Sequence, residues 1–288
     1  MKKTLLPILM GLSLFLFSCS KEQNLTGESS TSNSGGGPSG GGIFDRGGGG
    51  TSGDGDLPAF GLLGLEGGTF TINSSHNLIA DVGYCSGVTS TTNQKIDNFT
   101  GTAYVHSQVA NFVYTAATYQ PTGGIINNGT ADATLDQAND DAIAASAQFA
   151  AMPVDITLGA LTSNITLTHV APNTVVQVSS VNLNGNTLTL VGTPGGDDGF
   201  IINVSGSFDF SQSIISLSNV RPERVVFNFP NASAITVNKA ANIFNGTILA
   251  PIGSVIYHNP AVFNGAIIAK NIAVHSDFNL TQKSFVFQ

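Results

Sequence analysis

The sequence predicts a mainly β chain wound as a parallel β-helix, a solenoid of short strands, with one long Ala-rich α-helix. Three observations carry that expectation. FNGTILA at 244–250 returns as FNGAIIA at 263–269, and solenoid repeats have periods of roughly 20 residues. From Pro153 onward the chain breaks into short β-branched pieces such as ITLGAL, NTLTLVG, RVVFNF, GTILA and SVIYH, separated by Asn, Gly, Pro and Ser. Many of these pieces are too short for a sandwich, but they suit coils that give a few residues to each face. Only 10% of residues are charged, against roughly 25% in an average protein. Asn, Thr, Ser and Gly carry the polarity instead, and they favour turns and strands over solvated helices.

Taken in order, the chain begins with Met1, Lys2 and Lys3, a basic head, and continues with an apolar run from Leu5 to Phe17. That is the length of a secretory signal and too short for a membrane-spanning helix, which needs roughly 20 apolar residues. Leu16, Phe17, Ser18 and Cys19 resemble a bacterial lipobox. Residues 1–18 are therefore expected to be a lipoprotein signal peptide, and Cys19 a lipid attachment site carrying palmitate at the start of the mature chain. Residues 19–56 collapse to Gly, Ser, Thr, Asn and acidic residues, as in SNSGGGPSGGG. Such a stretch buries no core and is expected to act as a flexible tether of about 35 Å. With Cys19 lipidated, Cys85 has no partner and is expected to be a buried small hydrophobe. No His close in sequence stands ready to make it a catalytic thiol.

Residues 57–288 are expected to form one domain. Its one helical stretch is 132–152, rich in Ala, with apolar residues at Leu135, Ala138, Ala142, Ala145, Phe149 and Met152. Thr130 or Asp132 would cap its start and Pro153 ends it. The small residues of the stripe let it lie close against a β surface, and Asp136, Asp140 and Asp141 read as its solvated face. In the repeat, Phe244 is expected over Phe263, Asn245 over Asn264 and Ile248 over Ile267, with Asn-Gly at the corner, where positive φ costs these residues little. Val255 and Ile272, at a slightly shorter step, would stack on the next face.

Five elements, GFIINVSG (199–206), RVVFNFPNASAITV (224–237), FNGTILAPIGSV (244–255), FNGAIIAK (263–270) and the closing 275–285, together resemble the choice-of-anchor A family, an ice-binding-like adhesive domain. NLIADVGYCSGV (77–88) stands where such domains place an early coil. The resemblance implies a right-handed β-helix with the long helix packed alongside, an adhesive role on a bacterial surface, and no catalytic residues to carry over.

The function classes follow. A net charge of −8 with scattered basic residues excludes nucleic acid as a natural partner. The leading expectation is a lipid-anchored surface binding or adhesion module at the bacterial outer membrane or cell surface, meeting an extracellular glycan or protein through rows of Asn, Thr and Ser. Its ligand-binding residues are not identifiable from sequence. Ice binding is the alternative, for which Thr69-Phe70-Thr71, Thr166-Leu167-Thr168 and Thr187-Leu188-Thr189 are the candidate Thr rows, the last two about one coil apart. A β-helical polysaccharide-active enzyme is the second alternative. Its chemistry needs paired carboxylates or a metal with a base, and the candidates are Asp197-Asp198, which look like turn residues, Asp209, and Arg221 to Arg224, which look like a solvated loop. His76, His106, His169, His258 and His275 show no metal-binding spacing, although His258 and His275, spaced like Val255 and Ile272, would stack on adjacent coils. No catalytic residue, metal site or cofactor is assigned.

Overall fold

The computed structural model describes residues 60–286, apart from 74, 91–95, 113–119, 128, 232, 239–241, 259–260 and 276–277. The expected signal peptide, Cys19 and the expected tether lie outside the described residues. Nearly every strand pair is parallel and in register, and the chain visits three ladders in turn on each coil. One coil shows the pattern: Leu62–Gly64 joins the first ladder, Thr69–Ile72 the second and Ser75–Ile79 the third. Val82–Tyr84 then returns to the first ladder beside Leu62–Gly64.

The FNG repeat behaves as its spacing predicts. Phe244 pairs with Phe263, Asn245 with Asn264, Ile248 with Ile267 and Val255 with Ile272. The step shortens between the Ala250–Ala269 pair and the Ser254–Asn271 pair, where the register shifts. The corner before Ser254 is longer than the corner before Asn271, which accounts for the difference. Pro251 sits in that longer corner, where its missing N–H removes no regular ladder bond. Of the two corner glycines only Gly246 has positive φ, at 128°. Gly265 is needed for space instead: a Cβ there would lie 1.8 Å from the Gly246 carbonyl oxygen.

The stacking order differs from the chain order. Leu62 and Leu63 pair with Ile267 and Ile268 on one side and with Val82 and Gly83 on the other. The first described coil therefore lies against the last one, and the N-terminal coils continue the stack through Ala103–Val105 and Ile125–Ile126. Helix α1, Asp132–Ala151, follows. Beyond it the chain re-enters the first ladder at Ile156–Leu161 and builds coil by coil towards Ile267. This arrangement pairs two edges that would otherwise present open backbone N–H and C=O groups.

Helix α1 buries Leu135, Ala138, Asn139, Ala142, Ala145, Ser146 and Phe149, the predicted stripe with two polar residues added and without Met152, which is only half-buried at the C-cap. Its N-cap is Ala131, without a side-chain cap bond, so neither Thr130 nor Asp132 caps it. The Asp132 carboxylate instead accepts the Ser107 amide at 2.9 Å and the Ser107 hydroxyl at 2.5 Å, which hold its pKa below the usual carboxylate value. Met152 is extended (φ −66°, ψ 146°) and ends the helix, as the residue before Pro153 tends to.

Aromatic rings fill the interior. Phe244 and Phe263 stack with centroids 4.7 Å apart at 11°, and Phe208, Phe210 and Phe227 meet Phe244 from neighbouring strands. Tyr257 sits against Phe263 and Phe278, but its buried hydroxyl has no hydrogen-bond partner among the described residues, and burial pushes its pKa far up. Removing a buried hydroxyl that bonds to nothing relieves its desolvation cost and leaves no partner stranded. Tyr257→Phe is therefore expected to hold or raise stability by up to ~1 kcal/mol, read from the denaturant midpoint.

Arg221 to Arg224 is only partly the solvated loop expected from sequence. Arg221 is exposed, whereas the Arg224 side chain is fully buried. Its guanidinium donates to the carbonyls of Asp197 and Val286 and to Asn173 Oδ1, and lies 3.6 Å from the Asp197 carboxylate. Nearby, Phe285 is buried and meets Phe149 of α1 edge-on. The groups that satisfy this one cation come from distant parts of the chain, so sequence spacing did not reveal it.

Candidate functional site

Helix α1 closes the outer side of the first ladder. Asn228 Nδ2 donates to the Ser146 carbonyl at 2.9 Å and to Asn203 Oδ1 at 2.8 Å, while Ser146 Oγ donates to Asn228 Oδ1 at 2.6 Å. Asn203 Nδ2 reaches the Phe149 carbonyl at 2.8 Å. All of Gly199–Val204 is buried as a result. Among the described residues no helix lies on the outer sides of the second and third ladders, and they are the candidate binding faces.

On the third ladder, inward Leu188, Ile215, Phe244, Phe263 and Leu280 fix which residues face out. One outward row runs through Thr187, Ile214, Ile243 and Val262 to Asn279, Asn77 and Asn98. Ile243 and Val262 are 38% and 47% exposed, an aliphatic pair in register on a water-facing strand. Beyond them the side-chain amides form a ladder of their own: Asn77 Nδ2 donates to Asn279 Oδ1 at 2.8 Å, and Asn98 Nδ2 to Asn77 Oδ1 at 2.9 Å. In the next row Asn264 Nδ2 donates to Asn245 Oδ1 at 2.9 Å, and Asn245 Nδ2 to the Ile215 carbonyl at 2.7 Å. Rungs stand about 4.8 Å apart and outward residues about 6.6 Å apart along a strand. The result is a regular grid of amides, hydroxyls and methyls, and neither row contains a charged residue.

The second ladder is more mixed. Its middle row reads Asn182, Asp209, Thr236, Ile256, Ala273 and Thr71. At its far edge His258 and His275 stack as expected, with centroids 4.8 Å apart at 10°. Burial, and then the neighbouring charge of His258, hold the His275 pKa below its ordinary value.

The Thr triplets do not assemble into one array. Thr69-Phe70-Thr71 lies on the second ladder and the other two on the third. Those two are offset by one outward position: Thr166 faces Thr189, and Thr168 faces Val191. Aligning the triplets by residue type would instead set Thr166 against Thr187. The observed register sets inward Ile165 against Leu188 and Leu167 against Leu190, whereas alignment by type, a slip of two residues that keeps the faces, would leave Ile165 opposite Asn186.

The remaining candidates are dispersed. Asp197 is bonded by Arg221. Asp198 accepts the Thr193 amide at 2.5 Å, the chief cause of its lowered pKa, and lies 3.4 Å from His169 Nδ1. Asp209 accepts the Ser211 hydroxyl at 2.8 Å. These carboxylates serve local turns and ion pairs. His106 is buried at the start of α1, 3.4 Å from Asp136, and His76 lies in the third ladder. Among the described residues no three of His, Cys, Asp and Glu gather as a metal-binding group.

Cys85 is buried under α1, its Sγ 3.5 Å from the Leu135 carbonyl, and burial above all pushes its pKa up to about 12. Since the thiolate is the reactive form, Cys85 is expected to stay unlabelled by a thiol reagent such as Ellman's in native buffer. It should react fully once the chain is unfolded in guanidinium, as followed by absorbance.

The amide ladder from Asn279 through Asn77 to Asn98 escaped sequence reading. The spacing of Asn77 and Asn98 by about one coil was visible, but the pairing to Asn279 depends on the first coil meeting the last.

The fold is similar to that of solved ice-binding proteins. An ice-binding protein from the Antarctic ascomycete Antarctomyces psychrotrophicus is 17% identical, with 78% of this chain and 94% of that one covered and a TM-score of 0.51. The domain of an ice-binding protein from Shewanella frigidimarina is 20% identical, with 78% and 94% covered and a TM-score of 0.50. At these identities the likeness concerns the fold alone. No curated protein matches the chain. The model of the ice-binding-like adhesive domain matches residues 24–280, nearly the whole sequence, and the chain belongs to that family.

Proposed function

We propose that this chain is a non-catalytic binding module of a bacterial cell surface. In this reading its coils wind as a right-handed β-helix, lipid on Cys19 anchors it, and residues 19–56 hold the domain away from the membrane. The partner is an extracellular glycan or protein surface, met by the third-ladder face. The observation that carries the reading is that this face, over which no helix lies among the described residues, presents rows free of charge, with hydrogen-bonding amides already aligned by their own ladders. Pre-aligned side chains lose little rotamer freedom on binding.

Ice is the second reading. It is favoured by the family and by the fold shared with ice-binding proteins, while the offset Thr triplets and the Ile256–Ala273 break in the second ladder count against a regular Thr array. One sample separates the two. The purified chain is screened against glycan and matrix-protein arrays and assayed for inhibition of ice recrystallisation. Val262→Glu and Asn98→Lys alter the third ladder, and Thr236→Glu alters the second. Saturable array binding lost only in the third-ladder variants supports the adhesive reading. Ice inhibition with silent arrays establishes the second reading instead. Metabolic labelling with palmitate, absent in Cys19→Ala, tests the anchor.

A further inference from the structure

The second ladder ends in a feature that the binding reading does not use. His258 and His275 are in register on neighbouring coils, and their rings lie nearly parallel, 4.8 Å apart. Both are half-buried. On the following coil Asn73 Nδ2 lies 2.6 Å from His275 Nδ1. That contact occupies one ring nitrogen and leaves Nε2 unengaged among the described residues. Two stacked imidazoles cannot both be charged without repulsion, and burial and that repulsion hold the His275 pKa down. Neutral imidazole is the form that ligates metal.

We infer that His258 and His275 form a chelate for a borderline divalent transition metal, Cu(II), Ni(II) or Zn(II), with one Nε2 from each ring and water in the remaining positions. Imidazole nitrogen suits these ions, whereas calcium and magnesium take oxygen donors. Parallel rings aim their lone pairs side by side. Closing on one ion at about 2.0–2.1 Å therefore requires the rings to tip towards each other, and half-exposed side chains at a ladder edge have that room. Asn73 is the positioning residue. Turned so that its amide oxygen accepts Nδ1–H, it fixes the tautomer that leaves Nε2 free, the usual service of a metal ligand's neighbour. The site does not depend on what the third ladder binds.

The test is a titration of the untagged full-length chain with Cu(II) alone, followed by calorimetry and by electron paramagnetic resonance. The expected result is one ion per chain with hyperfine coupling from two nitrogens. His258→Gln and His275→Gln should each weaken binding at least ~10-fold and Asn73→Ala by less, while His169→Gln leaves it unchanged. Absence of binding, binding that survives both His258→Gln and His275→Gln, or a bound ion without two-nitrogen coupling would overturn the assignment. The spectrum of the unaltered chain decides even if a variant folds poorly.

Discussion

Gly265→Ala is expected to cost about 3 kcal/mol or more, a large share of the roughly 5–15 kcal/mol that keeps a domain folded. The added Cβ would sit 1.8 Å from the Gly246 oxygen and 2.6 Å from its carbonyl carbon, with Phe263 at 3.0 Å. Both close atoms are backbone, held in register by the pairing of Asn242–His258 with Ala261–His275. No rotamer change relieves the contact, so two coils must separate locally. Gly159→Ala is the control, because a Cβ there meets nothing within 4 Å. It should be neutral or stabilising by about 0.5 kcal/mol through lost freedom in the unfolded chain. Guanidinium unfolding of the two variants provides the comparison. Equal midpoints would mean that the coils are not stacked as closely as Gly246 and Gly265 indicate.

Phe263→Ala should cost about 4 kcal/mol. Its ring is fully buried, stacks on Phe244, and touches Tyr257 and Phe278 at centroid distances of 6.0 and 6.1 Å. Truncation loses the transfer energy of the ring and leaves a cavity. Rings on rungs above and below are tied to backbone ladders on both sides, so they collapse into it poorly. Phe263→Leu keeps most of the volume and is expected to lose about 1 kcal/mol. Calorimetry on both variants reads the difference. A small loss in the alanine variant would show that the interior repacks freely, contrary to its close-packed aromatic column.

The two substitutions probe a part of the fold that sequence alone made readable. The FNG repeat, its regular spacing and the Ala-rich stripe of α1 are local patterns, and stacked coils reproduce local patterns by translation. The same logic placed His258 beside His275, while the burial of Cys85 followed from the ordinary habit of an unpaired cysteine. It misjudged positions where alignment by residue type competed with the core: the Thr triplets slipped by one outward position because inward Leu167, Leu188 and Leu190 set the register. Arg224 read as a loop residue, although Asp197, Asn173 and Val286 offset the cost of its burial. What no local pattern carried was the order of the stack. Residues 62–64 lie against 267–269, a contact between opposite ends of the domain's sequence. It appears only after α1 carries the chain past the N-terminal coils and the two open edges meet. From that closure come the Asn279–Asn77–Asn98 ladder and the Asn73–His275 contact, because a sheet edge pairs with whatever edge the topology brings to it, whatever the distance along the chain.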